Sequence, residues 1–309
     1  MKVELKEKEI SIQGISKILV TGKENIKKIA CYLTLVLVSF CLMFPVIYMT
    51  ANSFMGEKEI QKNYGTLMTS EDSKRSKIEY MSFRMIPDKV TFMQYYQALL
   101  RKPKFLQMFW NSIILTVPIL LGQLVVSTFA AYAFSKFRFP FRDFIFFVFI
   151  IVMMMPFQVT LVPNYIILRK MNLIGKYLSV ILPGTFSTFG VFLLRQFMIG
   201  IPDEYCEAAK IDGASSLKVF YRIILPQCKG AIASLAILVF IDNWNMVEQP
   251  LIFLKEQAMH PLSVFLSSIN GSELGIAFAC GLLYMIPTLL IFMYGEEYLV
   301  EGIQLSGMK

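Results

Sequence analysis

The chain has 309 residues, of which 56% are hydrophobic and only 17% are charged, whereas about 25% is usual in a soluble domain. This composition excludes a disordered chain and a disulfide scaffold, and it is typical of a polytopic membrane protein. One histidine and five cysteines without a C-x-x-C spacing indicate neither a zinc site nor a redox motif. The net charge of +8 fits contact with anionic lipid, but interspersed acidic residues favour an ordinary solvated surface.

Apolar stretches long enough to cross a bilayer recur along the chain. A helix needs about 20 such residues to cross the hydrocarbon core. Five stretches are uncharged and of about this length, and a sixth, 230–254, is interrupted only by Asp242 and Glu248. The five are residues 29–50, 105–135, 144–168, 177–194 and 274–295. The sequence therefore predicts an all-α polytopic integral membrane protein with six transmembrane helices.

The segments outside these spans differ in length and character. Residues 1–28 mix Lys and Glu and predict a tail, with the first transmembrane helix at 29–50. Residues 51–104 predict a loop on the other side of the membrane; its part 56–77 is polar and lacks apolar periodicity, whereas 91–100 predicts an interfacial helix. The core of five further spans is 105–298, followed by a tail at 299–309. Lys and Arg are nearly balanced between the two sides, so the charge rule fixes no orientation.

The polar loop at 201–226 carries a helix–turn–helix pattern. Asp203 is suited to cap the first helix, Gly213 permits a sharp turn, and Ser215 is suited to cap the second helix. The second helix has one apolar stripe, formed by Leu217, Phe220, Tyr221 and Ile224. Such a stripe is covered either by a partner protein or by the chain's own spans, and periodicity alone favours neither.

The same loop resembles a known family. Its pattern E-A-A-x-x-D-G-A, followed by F-x-x-I-x-L-P, is similar to that of the membrane subunits of ATP-binding-cassette (ABC) importers. In this chain the pattern consists of Glu207, Ala208, Ala209, Asp212, Gly213, Ala214, Phe220, Ile223, Leu225 and Pro226. Further stretches resemble the carbohydrate branch, in particular its maltose-type second permease subunit, and lie at 111–112, 130–139, 155–158, 193–197 and 244–245.

The resemblance, which extends from about Thr91 to the C-terminus, implies a type I ABC importer permease fold in the bacterial plasma membrane. It places both termini and the coupling loop 201–226 in the cytoplasm and makes 51–104 extracytoplasmic. It implies a heterodimer with a second permease subunit, two ABC ATPase subunits and an extracytoplasmic solute-binding protein. The contact with the ATPase would involve Glu207, Ala208, Ala209, Asp212, Gly213 and Ala214, with Leu217, Phe220 and Ile224 filling its cleft.

The motifs of catalysis are missing from the sequence. It contains no G-x-x-x-x-G-K-[ST], no H-E-x-x-H and no G-x-S-x-G. We therefore expect a transport subunit that is not an enzyme and binds no cofactor, with ATP and Mg used by the partner ATPase. The expected surroundings are membrane lipid, and no feature indicates nucleic acid.

The interrupted span at 230–254 is the candidate substrate path. Asp242 lies about 20 Å beyond Lys229 along a helix, and an ionisable group at that depth normally faces a cavity or a partner. Its neighbours Asn243, Trp244 and Asn245 add amides and an aromatic face, a combination that suits a sugar. The alternative is that Asp242 pairs with the second permease subunit or lies near the outer interface.

The predicted function is thus half of the translocation path of an ATP-driven, binding-protein-dependent sugar importer. An importer of the same class for a non-sugar solute, such as a polyamine or a phosphorylated polyol, is the near alternative. An ion-gradient transporter is the more distant one.

Overall fold

The chain is all-α in a computed structural model that describes residues 2–68, 84, 86–101, 103–268 and 274–307. Within these ranges no strand occurs, which confirms the predicted class. The helices are α1 (Lys2–Ser53), α2 (Glu57–Met68), α3 (Met93–Tyr96), α4 (Pro103–Lys136), α5 (Arg142–Met153), α6 (Phe157–Lys170), α7 (Leu178–Gly184), α8 (Thr188–Ile199), α9 (Asp203–Ile211), α10 (Ser216–Val219), α11 (Leu225–Gln227), α12 (Lys229–Trp244), α13 (Glu248–Phe253), α14 (Leu262–Ser267) and α15 (Leu274–Gly307).

Three short turns of other helical types lie beside these helices. A π-helical turn, Gln97–Arg101, continues α3, and another, Phe220–Ile224, joins α10 to α11. A single 3₁₀ turn, Gln257–Met259, precedes α14. The predicted tails 1–28 and 299–309 continue the helices α1 and α15 as far as Lys2 and Gly307.

Four helical stretches in the described residues are long and apolar enough to cross a membrane. They are Lys27–Ser53, Lys104–Lys136, Leu178–Ile199 and Leu274–Tyr298. Two further spans form only if each of two bent pairs counts as one: α5 with α6, bent by 104°, and Ser216–Gln227 with Lys229–Trp244, bent by 75°. The α5–α6 bend lies at Pro156, which is extended and lacks the N–H that would continue a helix.

The end of α1 packs against α2, where the sequence predicted a loop. Ile60 and Tyr64 are 1% and 3% exposed, and the Tyr64 hydroxyl donates to Asn52 Oδ1 at 2.7 Å. Tyr64 also hydrogen-bonds Tyr48, and its pKa is raised, chiefly by burial. The prediction of a loop at 56–77 is therefore wrong for Glu57–Met68, whereas the helix predicted at 91–100 is confirmed by α3 and its π-helical turn.

Helix α4 is the central element of the core, with α8 and α12 packed against it. Leu194 and Met198 of α8, Leu235 of α12 and Ile224 of the second π-helical turn are all fully buried in one cluster. Close approach of α8 to α4 depends on Gly190, where an added Cβ would lie 2.5 Å from Ser127 Oγ. Small residues at such crossings let two helix backbones approach within a membrane.

Candidate functional site

The loop between α8 and α12 forms the predicted helix–turn–helix. Helix α9 ends at Ile211, and the chain turns at Gly213, whose φ of +76° is the left-handed conformation that favours glycine. Two hydrogen bonds close the end: Gly213 N–H donates to Lys210 O at 3.0 Å, and Ala214 N–H donates to Ala209 O at 2.9 Å. This pair of bonds is the Schellman arrangement, which satisfies carbonyls that a helix end would leave free. The predicted turn is confirmed.

The two predicted caps have different outcomes. The Ser215 hydroxyl accepts from Lys218 N–H at 3.4 Å and caps α10, as predicted. Asp203 does not cap α9, because Pro202 occupies the capping position without a side-chain bond. Its carboxylate instead accepts from Lys136 Nζ at 2.6 Å.

The end of α4 holds this hairpin at both of its bases. Lys136 Nζ donates to Ile201 O at 2.5 Å as well as to Asp203, and the Tyr132 hydroxyl donates to Ser216 O at 3.0 Å. The ring of Tyr132 also lies 5.0 Å from that of Phe220. This role of the α4 residues was not predicted, since the stretch 130–139 contributes only to the family resemblance.

One carboxylate and one thiol in the hairpin have pKa values shifted by these surroundings. The Lys136 ammonium lowers the pKa of Asp203, chiefly through its hydrogen bond. Burial raises the pKa of the Cys206 thiol, which is 7% exposed and lies on the core-facing side of α9. The side chain of Asp203 is 68% exposed, so its pairing with Lys136 is partly screened by solvent.

The predicted ATPase-facing residues divide between surface and core. Glu207, Ala208, Asp212, Gly213 and Leu217 are exposed, whereas Ala209 and Ala214 are half-buried and pack against the chain's own core. Phe220 and Ile224 are 2% and 0% exposed. The prediction that these two fill a partner's cleft is wrong, because both side chains are enclosed by α4, α8 and α12. The contact of the exposed residues with an ATPase stays a prediction.

The π-helical turn explains why the apolar stripe divides. In a regular α-helix Leu217, Phe220 and Ile224 share one face, as the sequence predicted. The turn Phe220–Ile224 accommodates one extra residue, which rotates Ile224 away from Leu217 and toward the side of Phe220. Leu217 and Tyr221 consequently remain 60% and 54% exposed.

At the end of α12, two of the predicted path residues are buried. Trp244 is 1% exposed and lies between the rings of Phe240, at 5.3 Å, and Tyr284, at 5.6 Å. Its indole N–H donates to Tyr284 O at 3.2 Å, and the Tyr284 hydroxyl donates to Trp244 O at 2.8 Å. Asn243 is 8% exposed and donates to Val239 O. Trp244 and Asn243 therefore do not line an open path, and that part of the prediction is wrong.

The other two path residues are exposed. Asp242 makes no hydrogen bond or ion pair with the described residues, and Asn245 Oδ1 accepts from the Tyr284 hydroxyl at 2.8 Å. Three residues further on, Glu248 accepts from Gln158 of α6 at 3.3 Å. Four exposed polar residues thus lie at the C-terminal end of α12 or in the segments next to it. We call this group the polar end of α12; its members are Gln158, Asp242, Asn245 and Glu248. Gln158 and Tyr284 were not predicted to lie here, since both come from helices distant in the sequence.

Comparison with known proteins identifies the class. Residues 123–303, more than half of the chain, match the family described as the binding-protein-dependent transport system inner membrane component. The chain belongs to this family. It is thus a membrane protein and a transport subunit, and the predicted permease fold is confirmed.

The relatives of this permease include named transporters. It is 26% identical over 275 residues to the arabinooligosaccharides transport system permease protein AraQ of Halalkalibacterium halodurans, covering 88% of this chain and 93% of that protein. It is 31% identical over 201 residues to the sn-glycerol-3-phosphate transport system permease protein UgpE of Pectobacterium atrosepticum. This match covers 63% of this chain and 72% of that protein. A bacterial ABC transporter involved in the import of the acidic polysaccharide alginate shares the fold, with a TM-score of 0.75 at 21% identity over 89% of this chain and 97% of that one.

Proposed function

We propose that this permease is the membrane-spanning subunit of an ATP-driven, binding-protein-dependent importer of a carbohydrate, in which it forms half of the translocation path. The observation that carries the proposal is the α9–α10 hairpin: a short, capped, surface-exposed element fixed at both bases to the central helix α4. The AraQ relatives, named for arabinooligosaccharide transport, support a carbohydrate as the substrate class.

The hairpin would transmit force from a separate ATPase. Glu207, Asp212, Leu217 and Tyr221 form its exposed side and would contact the ATPase. Because Phe220 and Ile224 are embedded among α4, α8 and α12, a displacement of the hairpin would move these three helices with it. Rigid motion of a packed core is the usual means by which a local push reorients a cavity.

The proposed assembly follows from this arrangement. It contains a second permease subunit in a heterodimer, two ABC ATPase subunits that use ATP and Mg, and an extracytoplasmic solute-binding protein. A solved alginate importer in complex with a pentasaccharide-bound periplasmic protein has the same fold, at a TM-score of 0.55 and 15% identity. The proposed orientation puts the hairpin and both termini in the cytoplasm of a bacterial cell.

The polar end of α12 would face the path. Lipid is excluded as its surroundings, since an unpaired carboxylate on a membrane-crossing helix requires water or a partner. Asp242 and Glu248 form no ion pair with a cation of the described residues, and two such carboxylates repel an anionic solute. This favours an uncharged sugar over a phosphorylated polyol, which remains the second candidate because the UgpE relatives are named for glycerol-3-phosphate.

The decisive experiment is purification of the tagged chain from its native membrane, followed by reconstitution of the copurifying subunits. We expect an ATPase and a second permease to copurify, and a neutral oligosaccharide with its binding protein to stimulate ATP hydrolysis. Transport by the purified chain alone, driven by an ion gradient, would contradict the proposal. Stimulation by a phosphorylated polyol alone would support the second candidate.

A further inference from the structure

The connection between α4 and α5 lies where two apolar helices end and begin. Helix α4 ends its membrane-crossing stretch at Lys136, and α5 begins at Arg142. The intervening residues, 137–141, therefore lie at a membrane–water boundary, on the same side as the α9–α10 hairpin, to which Lys136 is bonded. Lipid head groups occupy this level of a bilayer.

A surface cavity of about 300 Å³ opens at this connection. It is lined by Arg138, Phe139, Phe141, Arg142, Asp143 and Phe144. Two guanidinium groups thus border one cavity whose other walls are mainly aromatic. Arginine is the side chain best suited to bind phosphate oxygens in pairs.

The charges around the cavity leave one arginine available. Arg142 donates to Asp143 at 3.0 Å and to Phe137 O at 3.4 Å, and Asp143 also lies 3.8 Å from Arg195. The one carboxylate in the lining is therefore compensated by two cations. Arg138 is exposed and makes no hydrogen bond or ion pair with the described residues; the nearby Asp203 is bonded to Lys136.

The aromatic walls face outward. The rings of Phe141 and Phe144 are 78% and 66% exposed, next to the cavity. Phe141 has a φ of 61°, a conformation that is unfavourable for a residue with a side chain, and it holds a large apolar ring at the surface. Exposed rings next to cations are the combination with which proteins enter the interface between head groups and acyl chains.

We propose that this cavity binds an anionic phospholipid, with Arg138 on the phosphate and Phe141 and Phe144 against the upper acyl chains. The shared chemistry of the possible ligands is a phosphate group. A free phosphate would bind Arg138 but would leave the rings exposed to water, whereas a phospholipid covers both at once. The proposed ligand is neither the transported solute nor the ATPase.

The test uses the full chain with whatever subunits copurify with it, in mild detergent. Thermal unfolding is followed while phosphatidylglycerol, phosphatidylcholine or inorganic phosphate is added. We expect a rise in the unfolding midpoint with phosphatidylglycerol only. Arg138→Gln should weaken this response about fivefold, the value of one arginine near an anionic surface. Phe141→Ser should weaken it as well, and Arg169→Gln, which changes an exposed arginine in the last turn of α6, should not.

Each other outcome overturns the proposal. An equal response to inorganic phosphate would show that the cavity is a phosphate site. Unchanged lipid affinity in the Arg138 variant would show that the cavity does not bind lipid. Loss of the copurifying ATPase in that variant, with lipid affinity intact, would assign the cavity to protein docking. Native mass spectrometry of retained lipids gives a second readout, which does not depend on the stability of the variants.

Discussion

Lys136, the last residue of α4, binds Asp203 in the first turn of α9, with 2.6 Å between Nζ and Oδ1. The two partners differ sharply in exposure: the side chain of Lys136 is 6% exposed and that of Asp203 is 68% exposed. The same ammonium donates to Ile201 O at 2.5 Å. A membrane helix and a surface hairpin are thus joined through one desolvated cation, and the bond to the carbonyl contributes more than the screened ion pair.

Replacing Lys136 should therefore be more damaging than replacing Asp203. Lys136→Met removes both bonds, and we expect it to lower the stability of the hairpin by about 2 kcal/mol. Asp203→Asn keeps the bond to Ile201 and should cost less than about 1 kcal/mol. Thermal unfolding of the reconstituted complex measures the stability, and solute-stimulated ATP hydrolysis measures the coupling. Glu204→Gln, an exposed acid in the same turn, is the matched control, and equal effects of all three changes would refute the argument.

The same pair has a defined pH dependence. Since Lys136 lowers the pKa of Asp203, the stabilisation is fully present above the ordinary aspartate pKa of about 3.9 and is lost as the pH falls through the lower folded value. The difference in unfolding midpoint between the wild type and Asp203→Asn should therefore be constant from pH 8 to about pH 5, decrease as the pH falls below about 4, and vanish only below the lowered pKa of Asp203. A difference that changes between pH 6 and pH 8 would show that another group governs it.

Substitutions at Gly213 test the turn. An added Cβ would meet nothing within 4 Å, so only the positive φ of +76° opposes a side chain. Gly213→Ala should cost about 1 kcal/mol, and Gly213→Asn less, because asparagine tolerates this conformation. Gly213→Pro cannot adopt this φ and loses the N–H that bonds Lys210 O, so it should insert normally and lose coupling. Wild-type uptake by the proline variant would contradict the coupling function of the hairpin.

The apolar stripe is divided into an exposed residue, Leu217, and a buried one, Phe220, and we expect opposite effects when each is replaced. Leu217→Asp changes a 60% exposed side chain and should leave the unfolding midpoint unchanged while abolishing recruitment of the ATPase. Phe220→Ala should instead destabilise the chain by about 3 kcal/mol or more, since this ring is 2% exposed in the core. Copurification of the ATPase and thermal unfolding separate the two effects. If the phenotypes were exchanged, Phe220 rather than Leu217 would contact the partner.

Substitution of Asp242 tests whether this residue lines the substrate path. Asp242→Asn removes an exposed charge without breaking a hydrogen bond among the described residues, so assembly should be normal. We expect a reduced rate of transport or a range of solutes extended toward anionic sugars, since one of two carboxylates is lost. Uptake assays with a neutral and a uronic-acid oligosaccharide measure both effects. Glu256→Gln, in the segment between α13 and α14, is the control, and an unchanged rate and range in the Asp242 variant would exclude it from the path.

Local sequence signals predicted the parts of the hairpin that depend on neighbouring residues. Gly213 and Ser215 occupy positions whose chemistry is decided within a few residues, and both were assigned correctly. The two anchors on α4 bind residues that are distant in the sequence. Tyr132 lies 84 residues from Ser216, whose backbone carbonyl it binds, and Lys136 lies 67 residues from Asp203, whose carboxylate it binds. No local pattern reveals a contact over that separation.

The wrong predictions have the same cause, namely structure that no local pattern in the sequence reveals. Helix α2 was missed because its anchors, Ile60 and Tyr64, are isolated among polar residues and acquire their packing from α1 and α15. The burial of Phe220 with Ile224 depends on a π-helical turn, which a period of 3.6 residues does not represent. Trp244 was assigned to the path because its aromatic face looked available, whereas Tyr284 from α15 covers it.

Because Trp244 is enclosed, its fluorescence can be used to follow the contact between α12 and α15. Of its two tryptophans, Trp110 is 59% exposed and Trp244 is 1% exposed, stacked on Tyr284 and bonded to it in both directions. In a Trp110→Phe chain, all indole emission would come from the contact between α12 and α15. Its spectrum would then stay blue-shifted for as long as those two helices remain together, and a shift to longer wavelength during turnover would record their separation without any attached dye.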